Sequence, residues 1–245
     1  MISRKDRLLS LLPPRLAWES RGLKNRRDLH GLHAAAASLQ ALVPPGVKAV
    51  DVGANRGLYS YWISRSAQHV HAVEPNPLLA EYLRKVAPRT KVTVHECALS
   101  AHTGTAHLVV DGGHDGEAKL TNGDLSSAGS TSWEVETTTL DQLVDDSIGF
   151  LKIDAEGYEF EILSGARRHL TESRPVIFVE LEERHRSGAV AETTDLLLET
   201  YRYSSAKFFR HGELVDIDKF EVHRDQDYER GTNRPGYVSN FVFHP

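Results

Sequence analysis

The sequence predicts an α/β protein: a doubly wound, mostly parallel sheet of seven strands, preceded by an N-terminal helical extension. Three observations predict it. The segment VDVGANRGLYS (Val50–Ser60) followed by HAVEPNP (His71–Pro77) reads as a buried strand, a tight glycine turn, a helix, and a second strand ending in a carboxylate. Apolar runs alternate with helical periodicities, the rhythm of a sheet whose crossovers are helices. PVIFVEL (Pro175–Leu181) is almost wholly apolar, as expected of a strand covered on both faces.

Taken in order, Leu29, Leu32, Ala36, Leu39 and Val43 recur at helical spacing, which predicts an amphipathic helix over 27–42. Pro44-Pro45-Gly46 ends it, and the expected division is an extension over 1–43 and a domain over 44–245. Val47–Val52 is the first core strand, Tyr59–Ala67 a helix, and His69–Val73 the second strand. Asn76-Pro77 opens a helix, with proline at its first position, and Leu78, Leu79, Tyr82, Leu83 and Val86 form one face of it. Lys91–Cys97 is a third strand and Thr105–Val110 a strand in an added hairpin. Residues 111–132, rich in Gly, Ser and Asn, read as a long lid or binding loop with no packed element. From Gly149 the rhythm resumes with the strand FLKID, a helix through Ile162, Leu163, Ala166 and Leu170, and then the apolar strand. A helix marked by Val190, Thr194, Leu197, Leu198 and Tyr201 follows, with final strands near Ser204–Phe209 and Val238–Phe243.

Composition bounds the partners. A chain of 245 residues suits one sizeable domain with an appendage, and a net charge of −5 gives no global attraction for nucleic acid, so none is expected. The single cysteine, Cys97, leaves no intramolecular disulfide and fits a reducing compartment, which makes a cytoplasmic location the expectation. Residues 1–30 carry eight Lys/Arg against three Asp/Glu. The run Leu8-Leu9-Ser10-Leu11-Leu12 within them stops at Pro13-Pro14, too short to span a bilayer, so no stable membrane insertion is expected. A homo-oligomer formed through the N-terminal helix is compatible with this pattern.

The turn decides the cofactor class. A dinucleotide turn follows G-x-G-x-x-G, and none can be drawn through Gly53-Ala54-Asn55-Arg56-Gly57. What stands there is Asp51-x-Gly53-x-Asn55-x-Gly57, with a carboxylate where a pyrophosphate would be repelled. S-adenosylmethionine carries a sulfonium and an α-ammonium, both positive, and fits an acidic turn better than NAD does.

These residues, with ECALS (Glu96–Ser100), TTLDQL (Thr138–Leu143), LKIDAEGYEFEILSGA (Leu151–Ala166) and PVIFVELEERH (Pro175–His185), resemble the FkbM family in order and spacing. The resemblance covers roughly Val47–His185 and implies a Rossmann-like, class I S-adenosylmethionine-dependent methyltransferase. It implies O-methylation of a hydroxyl on a natural-product scaffold, sugar or glycan. By matching position, Asp51, Gly53, Ala54 and Asn55 line the methionine end, with Tyr59 closing it. Glu74 accepts both ribose hydroxyls, Pro75 and Asn76 border the adenosine, and Glu96, Cys97 and Ala98 flank the adenine.

Methyl transfer to an alcohol needs alignment and a proton acceptor, and open α/β sheets bind ligands at the carboxyl ends of their strands. Asp154 and Glu156 in KIDAEG occupy such an end, as do Glu180 and His185 in VELEERH. His185 has the best unperturbed pKa for a base, although the chain holds 13 histidines; Asp154 is equally readable as a helix cap. A divalent ion on Asp154, Glu156, Glu180 and His185 is conceivable, with no close ligand spacing to support it, and Glu159 and Glu161 read as helix-surface charges. Two other functions fit the pattern less well: a catalytically silent S-adenosylmethionine-binding scaffold, and an NAD(P)-dependent oxidoreductase.

Overall fold

The computed structural model describes residues 4–25, 39–110, 118–121, 131–232 and 234–245. The part of the expected 27–42 helix that precedes Leu39, and most of the 111–132 loop, lie outside the described residues; Leu39–Leu42 are helical.

Five parallel strands form the centre: β1 (Lys48–Val52), β2 (His69–Val73), β3 (Val92–His95), β8 (Phe150–Ile153) and β9 (Val176–Glu180). Three antiparallel strands extend it: β10 (Ser205–Arg210), β11 (Glu213–Asp216) and β12 (Asn240–His244). The order is β11-β10-β12-β9-β8-β1-β2-β3. The strand count corrects the expected seven to eight, because β11 folds back on β10. His211 (φ 52°) and Gly212 (φ 84°) form the two-residue turn between them, both left-handed as a tight hairpin requires. β11 is exposed at the sheet edge, so it carries no apolar alternation for sequence reading to find.

Neighbouring residues of one strand feed two separate cores, which is what double winding means physically. Val50, Leu151, Ile153, Ile177, Val179, Phe241 and Phe243 enter one core with Leu140, Ile162, Leu163 and Leu197. Ala49, Val70, Ala72, Phe150, Phe178 and Val242 enter the other, where they meet Tyr61, Trp62, Ile63, Leu83 and Val86. Ala17, Trp18, Leu39 and Val43 belong to that second core, so the helix Pro14–Asn25 is packed onto the domain, and the helix Arg4–Leu9 is tied to it through the buried Asp6 and Arg56.

A second sheet stands over the carboxyl ends. It contains β4 (Ala98–Leu99), β5 (Gly104–Val110), β6 (Ala118–Thr121) and β7 (Thr131–Thr138), in the order β4-β7-β5-β6. β6 and the start of β7 lie within 111–132, where no packed element was expected; both are short and half-exposed or exposed there, without a periodic apolar face. The third strand ends at His95, and the chain turns before β4 to join this second sheet. The helix after the glycine turn spans Leu58–Ile63, shorter than Tyr59–Ala67.

Candidate functional site

A cavity of about 240 Å³ opens where β1, β2 and β8 end. Its floor is Val52, Gly53 and Val73, with Asp154, Ala155 and Glu156 on one side and Glu74, Pro75 and Asn76 on the other. Cys97, Ala98 and Leu99 continue the wall, and Leu108, Leu120 and Trp133 of the second sheet close its far side. Three of these lining side chains are carboxylic acids; among the described residues the lining cation is Arg56, whose Nε lies 3.0 Å from Asp6 of the first helix.

Both carboxylate oxygens of Glu74 are held by backbone donors. Its Oε2 accepts from the Asn55 backbone N–H at 2.6 Å and its Oε1 from the Asn76 N–H at 2.9 Å. Both oxygens are thus fixed in place, each with acceptor capacity left over. Burial pushes the carboxyl up to about 7, against the pull of these two N–H groups. Asn55 takes a left-handed φ of 48°, which asparagine tolerates, and Asn76 caps the helix Pro77–Val86 through its side chain.

Asp51 is fully buried beneath the turn and is not among the residues that line the cavity. Its Oδ2 accepts from Ser60 Oγ at 2.5 Å, and its Oδ1 lies 3.4 Å from Lys152 Nζ. The ammonium is itself buried and donates to the carbonyls of Val52 (3.2 Å) and Gly53 (3.3 Å) and to Asp154 Oδ2 (3.3 Å). Burial disfavours its charge, but Asp154 and Asp51 more than compensate and hold it above the ordinary lysine range. The negative charge attributed to Asp51 is therefore met inside the protein, and the acidity that faces the cavity belongs to Glu74, Asp154 and Glu156. Tyr59 lies under Lys152, its ring centroid 4.6 Å from Nζ, and Ala54 is buried; neither lines the cavity.

The turn after β8 is bent sharply: Glu156 (φ 49°) and Gly157 (φ 103°) are both left-handed. For a glutamate that conformation costs about 1–2 kcal/mol. It places Glu156 Oε2 2.8 Å from His185 Nε2, and Glu182 Oε2 lies 3.0 Å from the same nitrogen. Glu156, then Glu182, raise His185 to about 9 against the effect of burial, so the ring is an imidazolium at neutral pH. It has no lone pair with which to take a proton, which corrects its expected role as base. Glu182 also pairs with Arg184 at 2.7 Å; burial opposes its charge, but His185 and Arg184 hold it down to about 2. Glu156, Glu182 and His185 are the cluster of three potential metal ligands among the described residues, their ligand atoms within 4.8 Å of one another. The conceivable set with Asp154 and Glu180 does not form as such. The imidazolium and Arg184 already supply this cluster's positive charge.

Asp154 lines the cavity and does not cap the next helix. No side chain caps that helix; Glu159, buried, instead ties down the turn before it by accepting from the backbone N–H groups of Ala155 and Gly157 at 3.1 Å each, a correction to its reading as a surface charge. Glu180 is half-buried, and desolvation, then the like charges of Asp154 and Glu182, raise its carboxyl. Of the adenine-end residues, Pro75, Asn76, Cys97 and Ala98 line the cavity, whereas Glu96 turns out to Arg84 at 2.5 Å. Sequence reading missed Lys152, Glu182 and Arg56. The signal for Lys152 was a lone cation inside an apolar strand, which has to be paired.

A family model for the methyltransferase FkbM domain matches residues 51–216, well over half of the chain. The crystal structure of Methyltransferase FkbM from Methylobacillus flagellatus is similar with a TM-score of 0.54 at 20% identity, over 81% of this chain and 44% of that one, which shows the shared fold. A curated protein of Pyrobaculum islandicum, described as "Probable ribosomal RNA small subunit methyltransferase A", is 32% identical over 89 residues, 36% of this chain and 38% of its own. The chain spans less than half the length of either relative. With the matched region running from the end of β1 to the end of β11, the chain belongs to the FkbM methyltransferase family.

Proposed function

We propose that the protein transfers a methyl group from S-adenosylmethionine to a hydroxyl of a sugar, glycan or natural-product scaffold. The observation that carries this reading is the cavity's polarity. A carboxylate pinned by two backbone N–H groups stands at one end and two further carboxylic acids at the other, and among the described residues the lining cation, Arg56, is already paired. That lining suits a cofactor with a diol and two positive charges and opposes a pyrophosphate. S-adenosylmethionine supplies a methyl group already activated for displacement by its sulfonium.

The chain's own residues then divide the work. Glu74 accepts from the ribose hydroxyls, and Pro75, Asn76, Cys97 and Ala98 enclose the adenine. Asp154 takes the proton of the acceptor hydroxyl, while Lys152 fixes the carboxylate's position from below. Glu156, oriented by the His185 imidazolium, favours the positive end of the cofactor. Because His185 keeps its proton, it acts as a positioning residue.

Calorimetry with S-adenosylmethionine and NADH tests the cofactor, and release of S-adenosylhomocysteine with hydroxylated sugars, natural-product alcohols and RNA fragments tests the acceptor. Binding of the first ligand alone, with turnover on a sugar or scaffold hydroxyl, is expected. Binding of NADH instead overturns the cofactor, turnover only on RNA overturns the acceptor class, and binding without turnover on any acceptor leaves a scaffold.

A further inference from the structure

The N-terminal helical hairpin turns its apolar residues the wrong way for a surface element. Ala17 and Trp18 anchor its second helix in the domain core, Trp18 Nε1 donates to Ser64 Oγ at 3.4 Å, and Asp6 of the first helix pairs with Arg56 beside the cofactor turn. The opposite side faces solvent, where a docked helix ordinarily presents polar residues. There Leu8 is 61% exposed, Leu11 81%, Leu12 42% and Leu16 57%. Together with the exposed Pro13 and Pro14 they cluster at the tip where the chain passes from the helix Arg4–Leu9 to the helix Pro14–Asn25. Single exposed leucines need no explanation; four within nine residues on a tip held to the domain by Asp6 and Trp18 do.

The charges around that tip say what covers it. Arg7 and Arg15 are exposed beside the leucines. The two acidic residues of the hairpin point away: Asp6 is buried against Arg56, and Glu19 turns to Tyr61 Oη at 3.0 Å and Arg65 at 3.5 Å. An apolar tip flanked by two arginines, with its own carboxylates withdrawn and the neighbouring Glu81 paired with Lys85, complements an interface that is apolar inside and anionic outside. A second copy of the chain complements it poorly, since like residues would bring arginine against arginine.

We propose that this hairpin tip seats the protein on the surface of an anionic lipid bilayer, with Leu8, Leu11, Leu12 and Leu16 entering the acyl boundary and Arg7 and Arg15 meeting the headgroups. No described helix is long and apolar enough to cross a membrane, so the attachment is peripheral and reversible. Leu78, itself 41% exposed, lines the cofactor cavity and also, with Arg7 and Ser10, a shallow groove next to it. Seating the tip therefore brings the cavity mouth close to the bilayer. The inference is independent of which hydroxyl is methylated.

Flotation of the full chain with phosphatidylcholine vesicles, with and without phosphatidylglycerol, tests it. The protein is expected to rise with the anionic vesicles and to be released by salt. Leu11→Glu/Leu12→Glu should cut that binding about tenfold or more. Arg7→Gln/Arg15→Gln should erase the preference for phosphatidylglycerol. Circular dichroism and S-adenosylmethionine affinity, unchanged in each variant, separate this result from misfolding and from failure of the cofactor assignment. Absence of the parent protein from anionic vesicles at millimolar lipid overturns the proposal. So does flotation of the leucine variant equal to the parent's, or a homodimer in light scattering that the leucine substitutions disperse.

Discussion

Gly53 and Asp154 meet backbone to backbone: a Cβ on Gly53 would stand 1.9 Å from the Asp154 carbonyl oxygen. The parallel register continues through this contact, since Asp51 pairs with Lys152 and Val52 with Ile153. Gly53 also holds φ at +71°, where a side chain is strained. Gly53→Ala should therefore lose about 3–5 kcal/mol of stability, or fail to fold, because no flexible group can yield. A urea midpoint equal to the parent's would show that the two turns do not touch as described.

Glu74 should make cofactor affinity pH-dependent. Burial pushes its carboxyl up to about 7, and only the ionised form accepts from both hydroxyls of a diol. The association constant for S-adenosylmethionine should be flat above that pH and fall by up to about tenfold per unit below it. Glu74→Gln should weaken binding about ten- to hundredfold and abolish this dependence. Calorimetry from pH 6 to pH 8.5 reads both, and a sloping profile in the variant would assign the titration elsewhere.

His185 has the opposite sign. Its folded-state pKa, raised to about 9, stabilises the fold fully below the unfolded value of about 6.5, and that contribution is lost as pH rises through 9. With allowance for solvent screening the loss is about 1–2 kcal/mol between pH 7 and pH 10. His185→Gln should flatten this slope in denaturant titrations. The proton also occupies the place a divalent ion would take, so turnover should survive dialysis against a chelator. A tenfold loss restored by a metal ion would refute that assignment.

Lys152 and Asp154 should separate in their effects. Lys152→Met leaves Asp51 buried without its cation and should cost about 3–5 kcal/mol of stability. Asp154→Asn keeps a polar partner for the ammonium and should fold, bind cofactor within a fewfold of the parent, and lose about a hundred- to ten-thousandfold in kcat. Equal kcat values for parent and Asp154→Asn would move the proton acceptor to another group.

What sequence could reveal depended on whether a signal was local. The β1 turn, the β2 end at Glu74 and the doubly apolar β9 are each written in a few consecutive residues, and the first two meet at the cavity while β9 lies in the sheet beside β8. β11 was invisible because it is exposed, and its hairpin rests on the pair His211-Gly212 rather than on an apolar pattern. Asp51 was legible as a carboxylate but not as a neutralised one, since its cation lies on a strand about a hundred residues away and only the register joins them. His185 likewise read as a base until Glu156, from a different loop, was found against it. Side-chain charge in a folded protein is set by neighbours that the chain brings together late.

The chain's sole sulfhydryl, Cys97, lies in the cavity wall, and burial, followed by the charge of Glu136, pushes its pKa up to about 11. Such a group stays in its unreactive protonated form under ordinary handling, so storage in air should not inactivate the protein by thiol oxidation. A bound adenosine ring would shade this one thiol from a small thiol-selective disulfide reagent such as a methanethiosulfonate. The native polypeptide thus carries a built-in occupancy gauge that needs no engineered label.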